Sequence, residues 1–413
     1  MDNKQHYNAR IIAVRSYEDV QRELESLGMD HESAKEHCYD GLFHHLKLER
    51  VERNTATLLR EIVTTLGGKI FSTLNCKETQ PENKVGVLII GTGSFFRSLM
   101  ASLPSSPTLL GVLSQELAPA LSNILNECRI TLEVKERKID FSSKTYIMGI
   151  LNVTLDSFTD GGEFFDQEKA IAHALEMVKE GADIIDVGGE STRPGAKPVE
   201  TEEELRRVIP VIKAIAKETE VMLSMDTTKA KVAEEALLAG ADIINDVSAL
   251  QFDPEMAPLV AQAGVPVVLM HMRGTPKTMQ SNIHYEDLIA EIVIFLRERI
   301  SVAEEAGIER KKIVIDPGIG FGKSKERDNF TILRNLEEFK SLGRPILVGP
   351  SRKAFLGHLL QLAVKEREEA TAAAVAVAIM NGANILRVHD VKKMKRVAQV
   401  VDTIKKSAPL HVN

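Results

Sequence analysis

The sequence has few cysteines, no excess of basic residues and no long apolar run. Three cysteines in 413 residues are too few and too scattered for a disulfide scaffold, which indicates a reducing compartment. Lysine and arginine number 52 against 59 acidic residues, and this balance argues against sequence-independent nucleic-acid binding. The longest apolar stretch, residues 372–380, is far shorter than the roughly 20 residues that cross a bilayer. We therefore expect neither a nucleic-acid nor a membrane partner.

The composition, with 44% hydrophobic and 27% charged residues, is that of a globular chain and excludes full disorder. The N-terminus, MDNKQHYNAR, lacks the apolar core of a signal peptide, so we expect a cytoplasmic protein. The length predicts two or three domains at about 100–200 residues each. The pattern changes near residue 130, which predicts a small α/β domain over 1–128 and a second domain over 129–413.

The second domain alternates short apolar runs with amphipathic helices. The runs lack polar alternation, which is typical of strands buried on both faces. They are residues 146–153, 183–187, 221–225, 242–247, 266–270, 312–315, 345–348 and 385–388. Eight strand–helix units correspond to the roughly 250 residues of a closed (β/α)8 TIM barrel. An open doubly wound sheet is the alternative, but the glycine-rich fingerprint after its first strand is missing here.

Helix ends are also readable in this domain. Thr201 and Glu204 have the spacing of a capping box at the start of a helix. Glycines stand where four helices are expected to end, as C-terminal caps do. They are Gly181, Gly240, Gly264 and Gly307.

Polar residues follow all eight predicted strands, where a barrel builds its active site. They include Asn152, Asp186, Asp226, Asn245, His271, Asp316, Ser351, Lys353, Arg387 and His389. Any one of them could simply mark a strand end. Leaving such groups unpaired in a protein interior costs about 1–3 kcal/mol each, so eight polar ends together predict a functional cluster. Within it, we interpret Asp186 as orienting loops and His271 as a packed strand-end histidine.

The residue types suggest a ligand. Carboxylates and an amide suit a flat heterocycle with an amino-pyrimidine edge, because a carboxylate pairs with two adjacent N–H donors; these are Asp226, Asn245 and Asp316. Cationic side chains at the mouth suit a phosphate or diphosphate; these are Arg193, Lys353, Arg387 and His389. Asn152 offers a neutral oxygen to Mg²⁺, which usually leans on substrate phosphates. The sequence thus predicts a polar heteroaromatic substrate carrying a diphosphate.

These residues lie in eight ordered motifs, and together they make the chain resemble the dihydropteroate synthases over roughly residues 136–413. The motifs are MGILNVTLDSFTDGG (148–162), IDVGGESTRPGA (185–196), SMDT (224–227), INDVSAL (244–250), LMHMRGTPKTMQ (269–280), IDPGIGFGK (315–323), VGPSRKAFLG (348–357) and LRVHDV (386–391). The resemblance implies a transferase of folate synthesis. It would join a dihydropterin methyl diphosphate to para-aminobenzoate, giving dihydropteroate and diphosphate, and it would be a homodimer.

The resemblance also implies roles for individual residues. The pterin would be held by Asp226, Asn245, Asp316 and Lys353, and Met270 would be a further substrate-binding residue. The diphosphate would be held by Thr192, Arg193, Arg387 and His389. Asn152 would contact the Mg²⁺, and Phe158 and Ser351 would help to form the aminobenzoate pocket. Catalysis would rest on Asp226, Lys353, Arg387 and His389.

Two positions depart from the family pattern, and two other functions remain open. Leu155 stands where the family usually has proline, which should loosen the first loop on the aminobenzoate side. Ala354 replaces a common hydroxyl residue on the same side. A corrinoid-dependent methyltransferase would share the pterin pocket but would not need cations around a diphosphate. A catalytically inactive pterin-binding protein is the other alternative.

Residues 1–128 give a weaker signal. We predict strands at 11–14, 69–73 and 85–90, and helices at 16–27, 56–66 and 96–103. Gly91-Thr92-Gly93 is part of a dinucleotide fingerprint but lacks its third glycine and its acidic residue, so we favour a tight strand–helix turn. The histidines around Cys38 lack the spacing of a metal site, and we expect them on exposed helices and loops. An accessory or an oligomerisation role remains open.

Overall fold

The computed structural model describes residues 14–72, 84–103, 130–153, 163–191, 198–281 and 283–407, with isolated residues between 111 and 125. The chain divides between Cys128 and Arg129 into two compact units, the larger of which ends at Ser407. Within the described residues, no helix is long and apolar enough to span a membrane. The predicted strand at 11–14, Leu155, Phe158, Thr192 and Arg193 lie wholly or almost wholly outside the described residues.

The first unit contains a three-stranded antiparallel sheet in the order β1-β3-β2. Its strands are β1 (Phe43–Glu52), β2 (Lys69–Ser72) and β3 (Lys84–Thr92), and its helices are α1 (Tyr17–Ser26), α2 (His31–His37), α3 (Arg53–Thr65) and α4 (Gly93–Ser102). Alternate residues of β3 are buried, which gives the sheet one apolar face. Leu59 and Phe96 belong to the same core as that face, so α3 and α4 cover the sheet.

The first unit differs from the prediction at one strand and agrees with it at a strand–helix junction. The strand β1 was not predicted, and it carries His44 and His45, which we had expected on a helix or loop. His44 is hydrogen-bonded through Nε2 to the hydroxyl of Tyr17 at 2.6 Å. The Gly91-Thr92-Gly93 segment is the tight strand–helix junction that we favoured, since β3 ends at Thr92 and this residue caps α4. No cluster of metal-ligating side chains occurs in the described part of this unit.

The second unit is an eight-stranded parallel barrel, which confirms the predicted fold. Its strands are β6 (Tyr146–Asn152), β7 (Ile184–Gly188), β8 (Met222–Asp226), β9 (Ile243–Asp246), β10 (Val267–Met270), β11 (Ile313–Asp316), β12 (Leu347–Val348) and β13 (Ile385–Val388). A parallel bridge between Ile315 and Ile346 joins the two ends of the sheet. The β-strands are buried throughout almost their whole length, as their apolar character predicts.

Helices alternate with these strands. They are α5 (Glu163–Lys179), α6 (Thr201–Glu218), α7 (Ala230–Ala239), α8 (Met256–Ala263), α9 (Leu288–Glu305), α10 (Asp328–Arg334), α11 (Ala354–Leu360), α12 (Glu368–Met380) and α13 (Val391–Lys406). The predicted C-terminal glycine caps are confirmed at two helices, since Gly240 and Gly264 end α7 and α8 in the left-handed conformation. The predicted capping box is wrong, because the N-cap position of α6 is Glu200, which makes no side-chain capping bond, and the carboxylate of Glu204 instead binds Lys229.

A β-hairpin that was not predicted lies at one end of the barrel. It consists of β4 (Thr131–Val134) and β5 (Arg137–Asp140). Its apolar residues Leu132 and Ile139 share a core with one residue from each of the eight barrel strands, including Ile184 and Met222 near the strand starts. The hairpin therefore fills the amino-terminal end of the barrel with apolar side chains, and the predicted site residues lie at the opposite, carboxyl-terminal end.

Candidate active site

The strand register brings the predicted polar residues to one rim. Asn152 pairs with Gly188, Gly188 with Asp226, and Asp226 with Asn245, so three predicted residues lie in one row across four consecutive strands, with Gly188 between the first two. Met270 and Asp316 are register partners on the next two strands. Asp226, Asn245 and Asp316 are buried. The register alone therefore collects most of the predicted pterin site at the carboxyl end of the barrel.

Arg387 crosses the barrel to meet this row. Its Nε donates to Oδ2 of Asp186 at 2.7 Å, and its Nη2 donates to Oδ2 of Asp226 at 2.6 Å. The amide Nδ2 of Asn245 donates to the same Asp186 oxygen at 3.1 Å. We had expected Arg387 at the lip of the mouth, but two buried carboxylates hold its guanidinium among the acids.

Burial controls the protonation of this network. It raises the pKa of Asp226 to about 7, with the nearby carboxylate of Asp186 adding to the rise and Arg387 opposing it. Burial alone would lower the pKa of Arg387, but the charges of Asp186 and Asp226 overcome it and raise that pKa above its ordinary value. The arginine is therefore always a cation, while Asp226 is poised to respond to the charge of a ligand.

A second pair of opposite charges lies across the mouth. Oδ1 of Asp316 accepts from the backbone N–H of Gly318 at 2.7 Å, and Nζ of Lys353 donates to the carbonyl of Ile319 at 2.7 Å. The Lys353 ammonium also lies 4.1 Å from the ring centre of Phe321. Burial raises the pKa of Asp316 and lowers the pKa of Lys353 to about 8. One loop after β11 thus positions both charges.

Glycine makes that loop possible. Gly318 has a φ of +72°, and a Cβ there would lie 1.9 Å from the carbonyl oxygen of His271. Any other residue would force the loop away from β10 and would move Asp316 and the Ile319 carbonyl with it. The motif IDPGIGFGK is therefore a backbone requirement of the site.

Ser351 and His389 form a separate contact at the rim. The Ser351 hydroxyl lies 3.0 Å from Nδ1 of His389 and accepts from the His389 backbone N–H at 3.2 Å. Between Ser351 and Lys353, Arg352 has a φ of +56° and turns its side chain to Glu368 on α12. This left-handed residue lets its two neighbours face the site while its own charge is neutralised outside it.

Sequence reasoning missed the involvement of two buried residues. Asp186 was assigned to loop orientation, yet it binds two predicted site residues directly. Lys323 closes a recognised motif, but it had no predicted role. Its Nζ lies 2.7 Å from Nδ1 of His271 and 3.0 Å from the His271 carbonyl. Burial lowers the pKa of both Lys323 and His271 well below their ordinary values, which agrees with the prediction that His271 is a packed residue.

The described residues offer a limited donor set for a metal. No group of three histidine, cysteine, aspartate or glutamate side chains is placed to hold an ion among them. The Asn152 oxygen does belong to the mouth, since it lies 3.9 Å from the position that a Gly188 Cβ would occupy, and Asp226 lies 3.6 Å from the same point. One neutral oxygen beside a carboxylate fits a Mg²⁺ that arrives mainly coordinated by substrate phosphates.

Thr192 and Arg193 follow a firmly held segment. Nζ of Lys229 donates to Glu190 and to Glu204, both at 2.5 Å, and Nη1 of Arg207 donates to the carbonyl of Gly189 at 3.0 Å. These bonds tie the chain after β7 to α6 and to the start of α7. The last described residues before Thr192 are therefore fixed from two sides.

Comparisons with known proteins give the family. The family described as pterin binding enzyme matches residues 148–389. A dihydropteroate synthase of Synechocystis sp. is 49% identical over 274 residues, covering 66% of this chain and 94% of that protein. The structure of Xanthomonas albilineans dihydropteroate synthase with 4-aminobenzoic acid is 44% identical, with a TM-score of 0.64, and covers 68% of this chain and 100% of that chain.

A third relative extends beyond the barrel. It is a probable bifunctional folylpolyglutamate synthase/dihydropteroate synthase of Haloferax volcanii, 43% identical over 356 residues, which are 83% of this chain and 41% of that protein. A match to 83% of the chain is longer than residues 129–413, so the similarity includes part of the first unit. The resemblance and the transferase class predicted from the motifs are confirmed. The chain belongs to the dihydropteroate synthase family of pterin-binding enzymes.

Proposed function

We propose that this chain condenses a dihydropterin methyl diphosphate with para-aminobenzoate to give dihydropteroate and diphosphate. The observation that carries the proposal is the convergence of Asp226, Asn245, Asp316 and Lys353 on one barrel mouth that also holds Arg387. Asp316 and Asn245 would bind the N–H groups and ring atoms of the pterin, and Lys353 would donate to its acceptors. Burial makes these bonds selective, because a ligand with the wrong donor pattern leaves buried groups unpaired.

The diphosphate would lie nearer the rim. Arg387 uses Nε and Nη2 for carboxylates, and its Nη1 makes no hydrogen bond to a described residue, so this nitrogen can face an anion. His389, held by Ser351, would be a second donor, and the predicted Thr192 and Arg193 would complete the site. Asn152 would hold the Mg²⁺, which supplies charge neutralisation to the leaving diphosphate when it is bound.

The reaction is substitution at the pterin methylene. The bond from this carbon to the bridging diphosphate oxygen breaks, and its electron pair leaves with the diphosphate. Asp226 would stabilise positive charge on the pterin electrostatically. The lone pair of the aryl amine then forms the new C–N bond, and the nitrogen releases a proton to water. The amine is neutral at pH 7, so the site's tasks are orientation and electrostatics.

The alternatives predict different behaviour. A methyltransferase would bind a pterin without releasing diphosphate, and an inactive binding protein would bind the pterin diphosphate unchanged. Purified chain with Mg²⁺, dihydropterin diphosphate and para-aminobenzoate should release diphosphate and form dihydropteroate. Pterin binding without release would overturn the proposal.

Lys353→Ala tests the assigned pocket. Loss of a half-buried charge-assisted donor should lower kcat/KM about 100-fold. Lys405→Ala is a matched control, because Lys405 also donates to a backbone carbonyl, that of Ile379 at 3.1 Å, and lies on α13 outside the site. If both variants turned over substrate normally, the pocket would be assigned wrongly.

We also propose a cytoplasmic homodimer. Large apolar side chains are exposed on and after α11 and on α12, and a partner subunit could cover them; they are Leu359, Leu360, Val364 and Val377. Sedimentation velocity should give twice the chain mass. Val377→Lys should shift the equilibrium towards monomer, whereas a monomeric wild-type protein would contradict this proposal.

A further inference from the structure

We propose that Asp186 is a positioning residue of the synthase reaction, fixing which end of the Asn245 amide faces the pterin and where the Arg387 guanidinium lies. This inference rests on the proposed function. Asp186 is fully buried at the third position of β7, below the rim at Gly188. Because it is fully buried, it would act on the substrate through its two hydrogen-bond partners.

The first step concerns Asn245. The amide has a donating and an accepting end, and an ionised carboxylate can only accept. Since Asp186 Oδ2 lies 3.1 Å from the amide, it selects the orientation in which Nδ2 points inward. The Asn245 oxygen is then turned away from Asp186. The residue therefore presents an acceptor, and the pocket selects a ligand with an N–H group at this point.

The second step concerns Arg387. Two carboxylates hold this guanidinium by different nitrogens, Asp186 through Nε and Asp226 through Nη2. With Asp226 alone, the planar fork could rotate into a two-bond pair with that carboxylate. Such a rotation would use both carboxylate oxygens of Asp226 and would change the direction in which Nη1 of Arg387 points. Asp186 thus keeps the guanidinium between two carboxylates and limits how strongly it can engage Asp226.

One oxygen performs both tasks. Oδ2 of Asp186 accepts from Asn245 and from Arg387, whereas Oδ1 is buried without a hydrogen-bond partner among the described residues. Both hydrogen bonds of this buried carboxylate therefore go to side chains of the predicted site. No backbone group of the described residues bonds to it, so its described bonds orient site side chains and do not fix a strand.

The segment that leads into β7 supplies a matched control. Asp183 precedes β7 and is also largely buried, but it accepts from the backbone N–H of Ile147 at 2.9 Å and from Lys395 at 3.0 Å. Asp183→Asn removes a buried charge three residues away without touching the site. Its expected effect is on the melting temperature alone.

The experiment measures KM for both substrates, kcat and melting temperature in Asp186→Ala, Asp186→Asn and Asp183→Asn. Asp186→Ala should raise KM for the pterin diphosphate about 10- to 100-fold and change KM for para-aminobenzoate less than about twofold. Asp186→Asn should recover part of the loss, because its carbonyl oxygen can still accept from both partners. In an Asn245→Ala background, the effect of Asp186→Ala should shrink, because one of its two routes is gone.

The outcomes separate two failures. Wild-type protein that releases no diphosphate would refute the proposed function. Active wild-type protein, with Asp186 variants that lose only melting temperature as Asp183→Asn does, would overturn the positioning role and leave the function intact. If Asp186→Ala does not fold, the isosteric Asp186→Asn still decides, because an unchanged KM for the pterin diphosphate in that variant counts against the proposal.

Discussion

The two ends of the barrel both bury carboxylates, but they satisfy them with different partners. At the end filled by the hairpin, Asp183 and Asp242 each accept from a backbone N–H of a neighbouring strand, and each also pairs with lysine. At the opposite end, Asp186 and Asp226 share the side chain of Arg387. Backbone-bonded carboxylates fix strands in register. Side-chain-bonded carboxylates form a network that can exchange partners with a ligand.

The two ends also differ in the kind of apolar side chain that they contain. The hairpin end places one residue from each barrel strand against Leu132 and Ile139, so little there can move without leaving a cavity. The carboxyl end has methionines in its small apolar cluster, including Met270, Met272 and Met279. Methionine side chains adapt to irregular surfaces, which suits a pocket that must fit a flat ring. One end therefore supplies rigidity and the other supplies recognition.

The largest expected effect comes from removing the cation that the site carboxylates share. Arg387→Met leaves Asp186 and Asp226 buried without their partner, and breaking such a pair costs about 3–5 kcal/mol, so kcat/KM should fall about 100- to 1000-fold or more. Arg137→Met, which removes an exposed ion pair to Glu220 at the hairpin end, is the control and should be almost silent. Comparable losses in both variants would contradict the division between the ends.

The next prediction tests the hairpin end. Leu132→Ala empties part of a fully buried core, which should lower the free energy of unfolding by about 2–5 kcal/mol. Because the cavity lies at the far end of the strands, KM for both substrates should stay within about twofold for the protein that remains folded. Chemical denaturation followed by steady-state kinetics checks both parts. A changed KM for the pterin diphosphate would mean that the two ends are coupled.

The third prediction uses pH. Burial lowers the pKa of Lys353 to about 8, partly offset by Asp316 and Asp226, while Arg387 lowers it further. Activity should therefore fall as pH rises through about 8, because the ammonium loses its proton. In an unfolded chain this lysine has an ordinary pKa of 10.5, so from about pH 8 to 10.5 the unfolded state binds more protons. The contribution of Lys353 to stability should thus rise with pH while activity falls.

Two variants separate these opposite trends. Lys353→Arg keeps the charge at high pH, so the alkaline loss should move upward even if activity at pH 7 is lower. Lys405→Met alters a second lysine whose pKa is also lowered by partial burial, but on α13 outside the site, so its activity profile should match that of the wild type. An alkaline loss that stays at the same pH in Lys353→Arg would assign it to another group.

The sequence predicted the barrel well because buried strands have a simple apolar signature. The apolar runs also showed where each strand ends. Because all parallel strands end on one side of a barrel, the sequence could group Asp226, Asn245 and Asp316 at one rim. The sequence did not predict the hairpin, because its two strands have only four residues each and precede the repeating strand–helix pattern. Its apolar residues are recognisable as core only once the barrel they fill is known.

The details of the site depended on contacts between distant segments. Arg387 was expected at the lip, but its position is decided by Asp186, which is 201 residues away in the chain. Lysine is usually a surface residue, yet the loop after β11 buries Lys323, and its Nζ lies 2.7 Å from Nδ1 of His271. The predicted capping box failed for the same reason, since Lys229, the residue before α7, binds the Glu204 carboxylate. Local spacing contains none of this information.

The smallest expected effect lies at Leu155, where the resemblance to the family leads us to expect proline. A proline whose φ suits the loop would stabilise the ordered form by about 0.4–1 kcal/mol, because it restricts the alternatives, so Leu155→Pro should lower KM for para-aminobenzoate about two- to fivefold. KM for the pterin diphosphate should not change, because that pocket is built by strand register and by the loop after β11. Leu155→Ala, which removes the side chain without fixing φ, is the control and should not improve aminobenzoate binding. A gain in both variants would mean that leucine obstructs the pocket sterically, and a gain in pterin affinity would mean that the first loop also controls the rigid part of the site.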